Sequence, residues 1–170
     1  KFGDLLESLA VGEPFYLVAD AYYACQQVVL RLQRSGSYLI SRVRRSTSAY
    51  RPVPVNSAPR KRGRPLFYGQ KIKLWKLFDS TTQAWQSADS PVYGERGVTL
   101  RFVCLDLVWR PLRQLVRFVL VDHPTRGRMI LISTDLLMPA IDIIRLYGLR
   151  FKIELSFKQA LRVIGVYAYH

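Results

Sequence analysis

The sequence predicts an α/β fold, and the changing spacing of its apolar residues marks three stretches. A short, wholly apolar run from Phe15 to Ala19 leads into a segment with helical spacing. A long middle region alternates apolar and polar residues, and the last stretch returns to helical spacing. With 170 residues, 49% hydrophobic and 12% aromatic, the chain has material for one domain with a sizeable core, or one domain carrying an insertion.

Taken in order, Asp4 to Leu9 reads as the tail of a helix, broken by Gly12, Glu13 and Pro14. Phe15 to Ala19 then reads as a strand buried on both faces of a mixed sheet, with Asp20 at its C-terminal end. Ala21 to Arg34 follows as a helix with Tyr22, Cys25, Val29 and Leu32 on its apolar stripe, and Ser35, Gly36 and Ser37 end it. Tyr38 to Arg44 alternates as the second strand. Residues 50–68 form a Pro- and Arg-rich connection without periodicity.

Beyond it, Lys71 to Phe78 alternates charged and apolar residues and reads as a strand. Val98, Leu100, Phe102 and Cys104 make one face of a longer strand whose other face shows Thr99 and Arg101. Leu115 to Asp122 and Arg128 to Ser133 form a hairpin around Pro124 to Gly127. Pro139 suits a first helical turn that continues through Ile143 and Tyr147, with a break or kink at Gly148. A last helix from about Leu149 into Val163 turns Ile153, Phe157 and Leu161 to the core and shows Arg150, Glu154, Lys158 and Arg162 on another face.

The net charge of +14 and pI near 10.2 call for a polyanionic partner. From Ala21 to Phe78 there is no Asp or Glu, yet 13 of the 26 Lys and Arg lie there. Like charges repel unless an anion sits among them, so nucleic acid is the first candidate and anionic lipid the second. The apolar runs are too short to span a bilayer and no signal peptide opens the chain. Cys25 and Cys104 read as buried thiols of a reducing cytosol, and with only His123 and His170 beside them a zinc site is not expected. Any catalytic metal is then held by carboxylates, which favours Mg2+ or Mn2+.

Two acids stand in positions where chemistry is expected. An Asp at the end of a buried strand, where a helix begins, is a metal-ligand position, but it is equally a favoured N-cap. Glu154 sits in a row of cations one turn apart. That row is either a solvated stripe of salt bridges or, because Phe151, Ile153, Leu155 and Phe157 crowd it, the wall of a cleft.

The segment Tyr147-Gly-Leu-Arg150-Phe-Lys-Ile-Glu154 resembles the signature of bacterial insertion-sequence DDE transposases, Tyr-x2-Arg-x3-Glu-x6-Lys. The run from Phe15 through Asp20 to Tyr23, followed by a helix and by Tyr38 to Arg44, is similar to that family's strand carrying the second Asp. The run Leu131 to Leu136, which holds Asp135, also recurs in such proteins. The resemblance implies a ribonuclease-H-like core interrupted by a mainly antiparallel β insertion: residues 1–50 as the first part of the core, 51–134 as basic connection and insertion, and 135–170 as the closing helices. It implies a metal-dependent endonuclease and strand-transfer enzyme acting on double-stranded DNA at the ends of a mobile element. Asp20 and Glu154 would hold two Mg2+ or Mn2+ ions, while Tyr147, Arg150, Lys158 and Arg162 would contact DNA. A homodimer in the DNA complex and a cytoplasmic location go with it.

Two positions depart from the family pattern. Leu161 stands where the family has Lys, with Lys158 and Arg162 as nearby cations. No segment before Asp20 reads as the strand of the first catalytic Asp, and both ends, Lys1 and His170, read as cut from something longer. The chain alone is therefore expected to bind DNA without cutting it. Asp135, in Ser133-Thr134-Asp135, is more simply a turn residue than a ligand. In the connection, Arg60, Lys61, Arg62 and Arg64 form a basic loop whose Arg62-Gly63-Arg64-Pro65 resembles the AT-hook core; its arginines either enter an AT-rich minor groove or contact only phosphates. The alternative reading of the chain is an inactive transposase remnant acting only as a basic DNA-binding module.

Overall fold

The computed structural model describes residues 12–54, 67–81 and 83–150. Among the described residues eight strands make one sheet: β1 (Tyr16–Ala19), β2 (Tyr38–Arg42), β3 (Ser48–Tyr50), β4 (Lys71–Lys73), β5 (Gln86–Asp89), β6 (Thr99–Trp109), β7 (Gln114–His123) and β8 (Gly127–Ser133). Its order is β1-β2-β8-β7-β6-β3-β4, with β5 paired to β6. β1 and β2 run parallel in the register Tyr16↔Tyr38, joined by helix α1 (Gln26–Arg34). β2 pairs antiparallel with β8 at Ile40↔Ser133, so the strand–helix–strand unit and the later meander share one sheet. Helix α2 spans residues 140–150. The result is a mixed α/β fold with a mostly antiparallel sheet.

Alternation along the strands builds two cores, one on each face of the sheet. Leu39, Val116, Phe118, Leu120, Ile130 and Ile132 meet Val28, Val29 and Leu32 of α1. Ile40, Val119, Val121 and Leu131 point the other way and meet Ile143 and Ile144 of α2. Burial on both faces accounts for the near-continuous apolar runs in β7 and β8.

Several expectations need correction. The helix after Asp20 does not run unbroken from Ala21: a 3-10 turn (Ala21–Tyr23) comes first, and α1 starts at Gln26. The break leaves Tyr22 81% exposed, off the apolar stripe where helical spacing had put it. Lys71 to Phe78 is a strand only to Lys73; Leu74–Asp79 is a 3-10 helix. That winding buries Leu74 and Phe78 while keeping Lys76 in water, whereas a strand would have turned Lys76 inward with them. β6 continues to Trp109, and beyond Arg101 its second face is apolar through Val103, Leu107 and Trp109. Both cysteines are half-buried free thiols rather than fully buried ones. The hairpin forms as expected, with Gly127 (φ 70°) taking the left-handed position of its turn.

Helix α2 also passes straight through Gly148. A Cβ there would stand 3.3 Å from both γ-methyl carbons of Val92, so this glycine permits close packing and not a kink. Leu149 and Arg150, read as the start of a second helix, continue α2 instead; the rest of that reading, with Ile153, Phe157 and Leu161, lies outside the described residues. No described helix is long and apolar enough to cross a membrane.

Candidate active site

Parallel pairing puts the C-terminal ends of β1 and β2 side by side, and Asp20 follows directly on β1. Its Oδ1 accepts a 2.8 Å hydrogen bond from the Ala21 N–H, capping the 3-10 turn. That cap uses only part of the carboxylate's acceptor capacity. Oδ2 lies 3.7 Å from the Arg150 guanidinium on α2, and the side chain is 54% exposed. Asp20 therefore caps the turn, as one of its two readings expected, and its other oxygen stays in an exposed setting.

Arg150 in turn donates to the Tyr147 hydroxyl at 3.5 Å, with its guanidinium 6.0 Å from that ring's centre. Tyr147 is half-buried, and burial pushes its hydroxyl up; Asp20 pushes the same way, while Arg150 and Arg42 oppose. Those influences place Arg42, at the end of β2, in the electrostatic neighbourhood of the same site. Asp20, Tyr147 and Arg150 thus come together from opposite ends of the described chain. Glu154, Lys158 and Arg162 lie outside the described residues, as do Arg60, Lys61, Arg62 and Arg64.

Next to Asp20 a cavity of about 310 Å3 is lined by Ala21, Tyr22, Arg44, Thr47 and Trp109 among others. The sequence reading did not mark Arg44 as a site residue, and it placed Tyr22 on an apolar stripe. The signal available was their nearness to Asp20 inside the acid-free stretch.

A buttress stands behind α2. Glu95 receives hydrogen bonds from Ser90, from Arg126 Nε (2.7 Å) and from the buried His123, whose Nε2 lies 2.8 Å away. His123 Nδ1 accepts from the backbone N–H groups of Thr125 and Arg126, which leaves Nε2 to carry the proton toward Glu95. Burial alone would raise the Glu95 carboxyl, but the bonds from Ser90, Arg126 and His123 outweigh it and hold it at about 2. This knot fixes the loop carrying Val92, on which Gly148 packs one residue after Tyr147.

Asp135 occupies the other end of β1. It is buried, and its Oδ2 accepts from the Tyr16 hydroxyl at 2.6 Å while Oδ1 accepts from the Leu137 N–H at 2.8 Å. The four residues of β1 lie between it and Asp20, roughly 13 Å of strand at 3.3 Å per residue. Among the described residues no three His, Cys, Asp or Glu gather to hold a metal ion. Asp20 by itself suits a hard cation: it offers exposed carboxylate oxygen, with one oxygen held in place by the backbone.

The family model described as "Transposase DDE domain" matches residues 1–166. The chain belongs to that family. No curated protein and no solved structure matched it. Membership in the transposase family implies a DNA partner, and a divalent metal is typical of DDE transposases.

Proposed function

We propose that this transposase domain cuts and rejoins DNA at the ends of an insertion sequence, with Asp20 and Glu154 as metal-holding carboxylates of a ribonuclease-H-like core. The observation that carries this reading is the Asp20–Arg150 approach at 3.7 Å. It joins the end of the first parallel strand to the Tyr147–Arg150 segment, and Glu154 stands four positions further along the sequence, the interval of one helical turn. On this reading residues 1–50 and 135–170 contribute the core and 51–134 the basic connection and β insertion. A homodimer holds the two element ends in the cytoplasm.

Bound divalent ions would supply Lewis-acid polarisation of the scissile phosphate and charge neutralisation at the leaving oxygen. This chain's residues set the stage. The cap at Ala21 fixes the Asp20 carboxylate, and Arg150 balances its charge. Arg150 and Tyr147 then offer donors to phosphate oxygens, Arg150 in the planar fork that suits phosphate geometry. Arg42 and Arg44 add positive charge around the strand end, where a duplex must be held against an acidic centre.

Two of the three carboxylates that the family's chemistry needs are assigned in this chain, so by itself it should bind duplex DNA without nicking it. Nicking that requires Mg2+ would show that the set is complete within it. The direct test uses Fe2+ in place of Mg2+ with ascorbate and peroxide, so that hydroxyl radicals cut the polypeptide beside the metal. Cuts near residues 20 and 154 are expected, both lost in Asp20→Asn. Cuts elsewhere, or cuts that survive the substitution, would refute the assignment.

A further inference from the structure

At the β3–β4 end of the sheet, opposite the β1 edge in strand order, lies a cleft of about 450 Å3. Arg51, Lys71, Lys73 and Lys76 line it, and among the described residues no acidic side chain does. All four cations are exposed, while Leu107 in the floor is buried.

Elsewhere several cations are matched: on the strands Arg101 bonds Asp122, Arg117 bonds Asp106 and Arg128 bonds Asp79, and within α2 Arg145 bonds Asp142. None of the four cleft cations has a carboxylate partner among the described residues. Four unmatched charges converging on one concavity repel each other, and the repulsion is relieved only when an anion enters. Lys71 and Lys73 stand two residues apart on an edge strand, so their Cα atoms are separated by about 6.6 Å. That interval resembles the step between successive phosphates of one DNA strand. Lysines are mobile point charges without the arginine fork, which suits backbone grip and not base reading.

The cleft is also tied to the site at Asp20. Thr47 lines the cavity beside Asp20, and its carbonyl accepts the N–H of Leu74, the first residue of the 3-10 helix that carries Lys76. Arg44 and Arg45 lie on the short segment between β2 and β3, with the Arg45 guanidinium 4.0 Å from the centre of the Trp75 ring. A line of positive charge therefore leads from the end of β2 to the cleft.

We propose that this cleft is a clamp for the phosphate backbone of duplex DNA, gripping the stretch that flanks the cutting point through Lys71, Lys73, Lys76 and Arg51. Its ligand rests on the transposase reading above, but the clamp needs no metal.

The test is equilibrium binding of a short duplex across a range of salt concentrations, comparing the unaltered chain with the Lys71→Gln/Lys73→Gln/Lys76→Gln variant. Each phosphate contact contributes about 0.9 to the slope of log K against log salt, so loss of three contacts should flatten it by up to about 2.7. A second measurement needs no variant: lysine acetylation of the unaltered chain, with and without duplex, should show Lys71, Lys73 and Lys76 protected by DNA. An unchanged slope together with unprotected lysines would overturn the clamp, and stronger protection by a structured RNA would overturn the choice of duplex DNA. Metal-directed cutting reports on Asp20 separately. If that fails while the slope flattens, the active-site assignment falls and the clamp stands; the reverse outcome removes the clamp alone.

Discussion

Asp20 and Asp135 sit at opposite ends of the same four-residue strand and have opposite surroundings. Asp135 is buried, and both its oxygens are engaged by the Tyr16 hydroxyl and the Leu137 N–H. Asp20 is exposed, has one oxygen on the Ala21 N–H and turns the other toward Arg150. A buried carboxylate with both oxygens hydrogen-bonded holds structure together, whereas an exposed one with an oxygen outside any hydrogen bond is available to a cation or to chemistry. Burial and partners separate two residues that the sequence writes with the same letter.

Glu95 extends the contrast as a second acid with both oxygens bonded and gives the largest expected effect. Its folded carboxyl is lowered to about 2, so it contributes stability that is present above the ordinary value of 4.5 and is lost as pH falls toward 2. With allowance for solvent screening, roughly 1–3 kcal/mol is at stake. Glu95→Gln should flatten the acid limb of stability measured by urea unfolding between pH 5 and 2. A limb that stays equally steep would show that other groups set it.

Asp135→Ala comes next. It strands a backbone N–H and a tyrosine hydroxyl, and should cost about 1–3 kcal/mol by denaturant titration at neutral pH. Removing the Asp20 side chain loses only a cap on a short turn, about 1 kcal/mol or less. Equal losses at the two positions would erase the distinction drawn between them.

Tyr16 provides a finer gauge. Its hydroxyl is pushed up to about 12, chiefly by donation to Asp135 and then by burial. The pKa is raised, so this contribution is complete below the ordinary 10 and disappears as pH rises through 12. The alkaline absorbance difference between the parent and Tyr16→Phe should have its midpoint near 12, and Asp135→Asn should return it toward 10. A midpoint near 10 in the parent would mean that the hydrogen bond is not made in solution.

Much of the fold was legible because burial on one or both faces leaves a periodic trace. The β1–α1–β2 unit, the β7–β8 hairpin and the start of α2 all follow that trace. The 3-10 segments at Ala21 and Leu74 were not legible, since three-residue winding can imitate both a helix start and a strand over so few positions. Gly148 misled because a glycine's need for space looks the same in sequence as a need for a bend; Val92, far away in the chain, decides which it is. At the site, Asp20 stood out through its place after an apolar strand, and Tyr147 with Arg150 through their resemblance to the family's Tyr-x2-Arg pattern. The pairing of Asp20 with Arg150 and the pairing of Asp135 with Tyr16 are tertiary facts that no local pattern records. The four cations of the β3–β4 cleft were visible only as part of a long acid-free stretch, because their convergence depends on strand pairing.

The account's central claim is that the exposed carboxylate, and not the buried one, takes the metal. Titration of the chain with Mn2+, read by the electron paramagnetic resonance of the free ion, compares the parent with Asp20→Asn and Asp135→Asn at neutral pH. The account predicts at least a tenfold loss of affinity in Asp20→Asn and parent-like binding in a folded Asp135→Asn variant. Retained binding without the Asp20 carboxylate, with binding lost when Asp135 is changed, would contradict it.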